Sequence, residues 1–297
     1  MDGIVVGNKL ANQLSLLLKC FYSPIEIVKF SDGELKPRII KPKKTKWGIL
    51  VLDIHQDEDI NGYLIIFLLL AARLKILCKN VIGIVPYLPY NRQDKEFLKG
   101  ESISAKVIAS HLEKNLDFFV TFNSHSHHLK LKNLFTIPIF DLSLFKALSQ
   151  YFIDFSLENT LVIGPDEESR AFVKDFCYLR KFPFVICQKK RDVRTNKLKI
   201  RLPKNVKIKN KDIIIVDDII ASGQTFFKLV RQIKKQKPKS ISCVFAHGLL
   251  VGKTEESLIK LKLNRIFSSD TIDNPFMRAC SMKVAVPVIK TIIKNQL

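Results

Sequence analysis

No two of the six cysteines (Cys20, Cys78, Cys177, Cys187, Cys243 and Cys280) are spaced as CxxC. That removes the sequence ground for a zinc site or a thioredoxin-type redox pair. They are scattered through apolar stretches, where a thiol acts as a small hydrophobe, and a reducing cytoplasm is the compartment they fit. The opening residues, MDGIVVGN, lack the basic region and apolar core of a secretory signal. The longest apolar run, residues 63–72 (YLIIFLLLAA), is about half of what a bilayer span needs and reads as a buried helix, so no membrane partner is expected. A GxxxxGK[ST] loop is absent, which excludes a Walker A site. Neither a Gly/Ser-rich linker nor a short internal repeat divides the chain. The signatures of RRM, zinc-finger and helix-turn-helix modules are missing too, so no specific nucleic-acid partner is expected.

The 297 residues are enough for two ordinary domains. With 47% hydrophobic and 26% charged residues, the composition is globular rather than disordered. Forty-nine Lys and Arg against 28 Asp and Glu give a formal net charge of +21. Such an excess points to polyanions: nucleic acid, an acidic membrane or phosphorylated substrates. A compositional bias that leaves most lysines solvated accounts for it equally well, including those of residues 228–239 (KLVRQIKKQKPK).

Short apolar, β-branched runs alternate with longer helical stretches. Strands are expected at residues 47–53, 80–85, 117–122, 160–164, 182–187, 212–216 and 240–246. Helices are expected at 62–75, 102–113, 143–152, 169–180 and 225–235. Continuous apolar strands separated by helices predict parallel sheets covered on both faces, hence an α/β class. Two such segments are visible, giving expected domains at 1–140 and 141–297. Residues 189–211 are rich in charge and read as a β-hairpin or flap, because LKIRL at 198–202 alternates with period two.

Residues 213–227 (IIIVDDIIASGQTFF) carry the clearest chemistry. A buried strand ends in Asp217 and Asp218; small residues follow at Ala221, Ser222 and Gly223; a helix begins near Thr225. Ligands of open α/β sheets bind at the carboxyl ends of strands. Backbone N–H groups and the dipole at a helix start favour an anion. The two carboxylates would repel a phosphate, but they suit the hydroxyls of an attached sugar.

This string resembles the phosphoribosyl-binding motif of the phosphoribosyltransferase superfamily. Further segments resemble ribose-phosphate pyrophosphokinase in family order: FSDGE at 30–34, VPYLPYNRQD at 85–94, GESISAK at 100–106, NSHSHH at 123–128, and GPDEES at 164–169 with QKKR at 188–191. The RQD-x-x-F-x-x-GE spacing and the PDEES string look like a short proteobacterial-type branch. The resemblance implies two tandem phosphoribosyltransferase-like domains, the first on the ATP side and the second holding the ribose 5-phosphate loop. It also implies pyrophosphate transfer from Mg-ATP to the 1-hydroxyl of ribose 5-phosphate, releasing AMP.

On that basis Phe30, Asp32, Gly33, Glu34, Arg92 and Gln93 are expected to bind ATP. The FSDGE loop usually serves a neighbouring subunit in the family, so a dimer or hexamer is implied. Arg191, Asp217, Asp218, Ala221, Ser222, Gly223, Gln224 and Thr225 are expected to hold ribose 5-phosphate. Lys189 and Arg191 are the expected catalytic cations, and His125 and Asp166 the residues near Mg²⁺. Two departures stand out. Asn123 replaces the usual Asp two residues before the His. Glu167 and Glu168 replace a glycine pair, and they put negative charge where pyrophosphate binds unless they turn outward or hold a cation. Two other readings follow from the same residues: a phosphoribosyltransferase acting on a base, which shares the loop but needs neither RQD nor FSDGE, and a catalytically impaired regulatory paralogue.

Overall fold

Runs of Val, Ile and Phe that bury both faces of a strand decide the architecture. A computed structural model describes residues 1–55, 59–96, 98–124, 130–191, 198–203 and 205–296, and for 189–191 and 198–199 the backbone alone. The chain divides into two compact units, one of Met1–Leu142 with Cys280–Leu297, the other of Ser143–Ala279.

The first unit contains β1 (Gly3–Gly7), α1 (Lys9–Leu18), β2 (Phe21–Ser23), β3 (Ile25–Lys29), β4 (Leu35–Ile39), β5 (Thr45–Val51), α2 (Ile60–Leu77), β6 (Cys78–Val85), α3 (Ser104–Leu112), β7 (Phe118–Phe122) and β8 (Ile139–Leu142). Its parallel six-stranded sheet runs β2-β1-β5-β6-β7-β8, and β3 and β4 form a separate antiparallel hairpin. Burial of Ile4–Val6, Ile49–Val51 and Val81–Ile82 shows why those runs are apolar without alternation. The 18-residue α2 is, by length and composition alone, long and apolar enough to cross a membrane. In this fold it packs on β4, β5 and β6 and buries Tyr63, Leu64, Phe67, Leu70 and Leu74.

The second unit contains α4 (Phe145–Ser149), β9 (Thr160–Gly164), α5 (Arg170–Cys177), β10 (Phe184–Ile186), β11 (Gln188–Arg191), β12 (Leu198–Arg201), β13 (Asp212–Ile220), α6 (Gln224–Lys234), β14 (Ser240–Gly248), α7 (Thr254–Lys260), β15 (Arg265–Ser269) and β16 (Met277–Ala279). Its sheet runs β10-β9-β13-β14-β15-β16, again parallel, with β11 and β12 as a separate antiparallel hairpin. Of the hairpin or flap expected at 189–211, the described residues show the paired strands Gln188–Arg191 and Leu198–Arg201.

Both sheets follow one plan. Within each unit the second strand lies beside the first, the third lies on the first strand's other side, and the hairpin is inserted between second and third. The strand order therefore reverses between β1 and β5 and between β9 and β13. Such switch points open a crevice at the carboxyl ends of the strands.

The structure differs from the sequence expectations at several places. The strand expected at 212–216 continues to Ile220, so the acid pair lies inside β13. The helix expected at 143–152 is a short α4 followed by a 3₁₀ turn, Gln150–Phe152. The last helix, α8 (Ser281–Asn295), packs on α1 and counts with the first unit, whereas the expected boundary gave all of 141–297 to the second.

Candidate active site

In the second unit, three neighbouring strand ends carry the residues singled out from the sequence. β13 delivers Asp217, half-buried, and Asp218, buried, and the Asp217 carboxylate accepts the Asp218 N–H at 3.1 Å. Ala221, Ser222 and Gly223 follow, and α6 starts at Gln224 with no side-chain cap. The first N–H groups of a helix have no intrahelical acceptor. An uncapped start therefore leaves them for an anion, and Ser222, exposed, and Thr225, half-buried, add hydroxyls beside them. Gly223 is required twice. Its φ is +64°, and a Cβ there would lie 2.6 Å from the Phe227 ring.

Across the switch point, β9 ends at Gly164 and the chain turns into Asp166. This buried residue caps the following 3₁₀ turn, its Oδ1 accepting the Ser169 N–H at 3.3 Å. The register Ile163↔Ile215 sets Asp166 and the Asp217–Asp218 pair on adjacent strand ends. Glu167 turns outward and pairs with Arg170, which holds its carboxyl below the usual range. Glu168 is exposed as well. On the far side of β9, the Cys187 N–H donates to the Gly164 carbonyl at 2.9 Å, which ties the root of the β11–β12 hairpin two residues from Asp166. Lys189 lies opposite Ile200 in that hairpin and Arg191 opposite Leu198. Their side chains lie outside the described part of the structure, as does all of His125.

The first unit carries the other group. FSDGE is the tip of the β3–β4 hairpin: Phe30 and Glu34 close the loop (Phe30 N–H to Glu34 O, 2.9 Å), Gly33 takes φ +96°, and Asp32 accepts the Glu34 N–H at 3.1 Å. Phe30 is 45% exposed, and Lys36 Nζ stands 5.2 Å from its ring centre. Arg92 follows β6 and is exposed. The Gln93 amide donates to the Lys95 carbonyl at 3.3 Å and to Glu101 at 3.1 Å, and Glu101 also accepts the Leu98 N–H. Gln93 and Glu101 thus brace the loop that presents Arg92. Asn123, the departure at the end of β7, takes φ +41°, a left-handed conformation that Asn tolerates better than most residues. Ser124 beside it donates through N–H and Oγ to Asp141 at 3.1 and 2.5 Å.

The sequence offered no signal for Asp53. Its carboxylate reaches from the end of β5 to the start of α1 and accepts the Leu10 N–H at 3.1 and 3.0 Å. Burial pushes its pKa up to about 6, against the lowering effect of those N–H groups and of His55. Among the described residues no group of three or more His, Cys, Asp or Glu could hold a metal by itself.

Residues 5–115 match the N-terminal domain of ribose phosphate pyrophosphokinase, and residues 130–273 match the phosphoribosyl transferase domain. A ribose-phosphate pyrophosphokinase of Methanopyrus kandleri is 29% identical over 98% of this chain and 96% of its own length. Ribose-phosphate pyrophosphokinase 2 of Archaeoglobus fulgidus is 32% identical over 84% of this chain and 85% of its own. The crystal structure of phosphoribosylpyrophosphate synthetase from Mycobacterium smegmatis superposes with a TM-score of 0.85, covering 99% of this chain and 100% of that one. At 20% identity that likeness speaks for the fold.

Proposed function

The chain belongs to the ribose-phosphate pyrophosphokinase family, and from that premise we propose how its residues divide the work of moving pyrophosphate from ATP to ribose 5-phosphate. The observation that carries the reading is the uncapped start of α6 beside two carboxylates at a switch point: an anion site and a sugar-hydroxyl site side by side. A base-directed transferase shares that feature, but the family match over residues 5–115 favours the pyrophosphokinase.

Residues 221–225 take the 5-phosphate through backbone N–H groups and the Ser222 and Thr225 hydroxyls. Asp217 and Asp218 accept hydrogen bonds from the ribose hydroxyls. The 1-hydroxyl oxygen attacks the β-phosphorus of ATP, the bond from that phosphorus to the α,β-bridging oxygen breaks, AMP leaves, and the hydroxyl proton passes to solvent. Lys189 and Arg191 offset charge on the group in transit, so positioning and electrostatics supply most of the rate. Arg92 suits bidentate contact with ATP phosphates, with Gln93 beside it. Phe30, Asp32, Gly33 and Glu34 suit an adenine ring, the first by stacking and the two acids by accepting from an amino group. The exposure of Phe30 at a hairpin tip supports service to a neighbouring copy, and hence a dimer or hexamer.

Mg²⁺ is the metal whose chemistry the donors fit. It takes oxygen ligands, keeps several waters, and is commonly held by one or two carboxylates plus substrate phosphates. Asp166 supplies such a carboxylate without a three-residue cluster; His125, the other residue the resemblance assigns to the ion, lies outside the described residues. Bound there, the ion would neutralise phosphate charge. The outward pairing of Glu167 with Arg170 removes one objection to pyrophosphate binding. Six cysteines free of disulfides agree with a reducing cytoplasm.

The test is AMP formation from ATP, with and without ribose 5-phosphate, in wild type and Lys189→Ala. Sugar-dependent AMP is expected. Lys189→Ala should lower kcat on the order of 10²-fold or more, with a smaller change in the KM for ribose 5-phosphate. An unchanged kcat removes Lys189 from the chemistry.

A further inference from the structure

The phosphate loop is only as well placed as the chain that holds its entry. Past the acid pair, β13 stays in register with β14 at Ile219↔His247 and Ile220↔Gly248. The chain after β14 continues the grip: Leu250 N–H donates to the Ile220 carbonyl at 3.0 Å and Val251 N–H to the Ala221 carbonyl at 3.1 Å. Wherever residues 246–251 lie, Ala221 must follow.

On its other side, that stretch loses its ladder. β14 pairs with β15 only as far as Phe245↔Ser268, and the register of β15 with β16 shifts between Ser268 and Ser269. A register irregularity next to a site redirects side chains. Here the Ser269 hydroxyl donates to the Ala246 carbonyl at 2.6 Å, and the Thr271 hydroxyl reaches the same oxygen at 3.2 Å. Thr271 Oγ1 also lies 2.9 Å from Ser269 Oγ and 2.8 Å from His247 Nδ1. His247, Ser269 and Thr271 are each at least 99% buried.

Thr271 has one hydroxyl proton and three neighbours. Each side chain has a partner when His247 Nδ1–H donates to Thr271, Thr271 donates to either Ser269 or the Ala246 carbonyl, and Ser269 donates to that carbonyl. The relay then runs one way, from imidazole to backbone, and buried hydroxyls replace the missing ladder bonds. Loss of one member leaves buried polar groups unpaired.

We propose that Thr271, Ser269 and His247 are positioning residues for the sugar phosphate: through the Ala246 carbonyl and the Leu250 and Val251 amides, their relay sets the place of Ala221 and so of the anion-binding turn. This rests on the assignment of residues 221–225 to the 5-phosphate. None of the three touches substrate.

The test compares T271V, which keeps the side-chain shape and removes the hydroxyl, with T271S, which restores it, and with T225V inside the loop. Steady-state KM for ribose 5-phosphate, KM for ATP, kcat and Tm are measured on the full chain. T271V is expected to raise the KM for ribose 5-phosphate roughly tenfold, leave the KM for ATP within about twofold, and have its sugar KM restored by T271S. A raised sugar KM in T225V with an unchanged one in T271V overturns the relay, even if T271V melts earlier. Unchanged sugar KM in both variants overturns the loop assignment itself. Should T271V fail to fold, S269A removes the adjoining hydroxyl with a smaller change of volume and carries the same expectation.

Discussion

Gly223 takes φ +64°, and a Cβ there would lie 2.6 Å from the Phe227 ring, which would have to shift. Gly223→Ala therefore costs about 1–2 kcal/mol in backbone conformation before the contact with the Phe227 ring is counted. The change falls on the turn proposed to bind the 5-phosphate. The expected result is a KM for ribose 5-phosphate raised by on the order of tenfold or more, read in the AMP assay, with the KM for ATP nearly unchanged. Gly223 was legible in the sequence because its whole context is local: strand, acids, small residues and helix within 15 positions. Asp217, Asp218, Ser222 and Thr225 were legible for the same reason. Asp53 was not, since its partner at Leu10 is 43 residues away. Nor was the relay of Thr271, Ser269 and His247, whose members come from different strand ends and look like ordinary polar residues in one dimension. The effect of Glu167 turned on its rotamer: the sequence showed a charge, and only the structure shows it turned toward Arg170.

At the scale of elements, α1 shows how a helix start can be satisfied from a distance. Asn8 offers no side-chain cap and the first turn holds no acid, so Asp53 at the end of β5 does the capping. Its folded-state pKa, about 6, lies above the ordinary 3.8. The native state thus binds more protons than the unfolded state between those values. The stabilising contribution is present below about pH 4 and is lost as pH rises through about 6. Asp53→Asn abolishes this titration. Relative to wild type, the variant should gain up to roughly 3 kcal/mol on going from about pH 4 to about pH 7.5. Thermal melts at the two pH values check this, and a Tm difference that does not move with pH would contradict it. Central strands were readable as continuous apolar runs, as with β9, found as expected at Thr160–Gly164. The short edge strands β2 and β16 were missed, while β10 was expected, within residues 182–187. Three residues hold too little pattern, and pairing with a neighbour, not composition, makes them strands. β13 outran its expected end because Asp217 and Asp218 read as a loop, while the ladder to β14 carries them in extended form.

At the scale of the whole chain, the α/β class and two tandem units were readable, because long apolar strands alternating with helices allow little else. The repetition of one sheet plan in both units was not, since it lives in strand order rather than in residues. The return of α8 to the first unit was also hidden: its apolar face matches α1 only in three dimensions. The net charge of +21 carries no argument about fold. Transfer of two phosphates as one group is read out with ATP labelled at both the β- and γ-phosphorus. With ribose 5-phosphate and Mg²⁺ present, both labels should arrive together on the sugar product, with one AMP released per sugar. Label appearing as ADP, as free phosphate, or as pyrophosphate without any sugar requirement would contradict it.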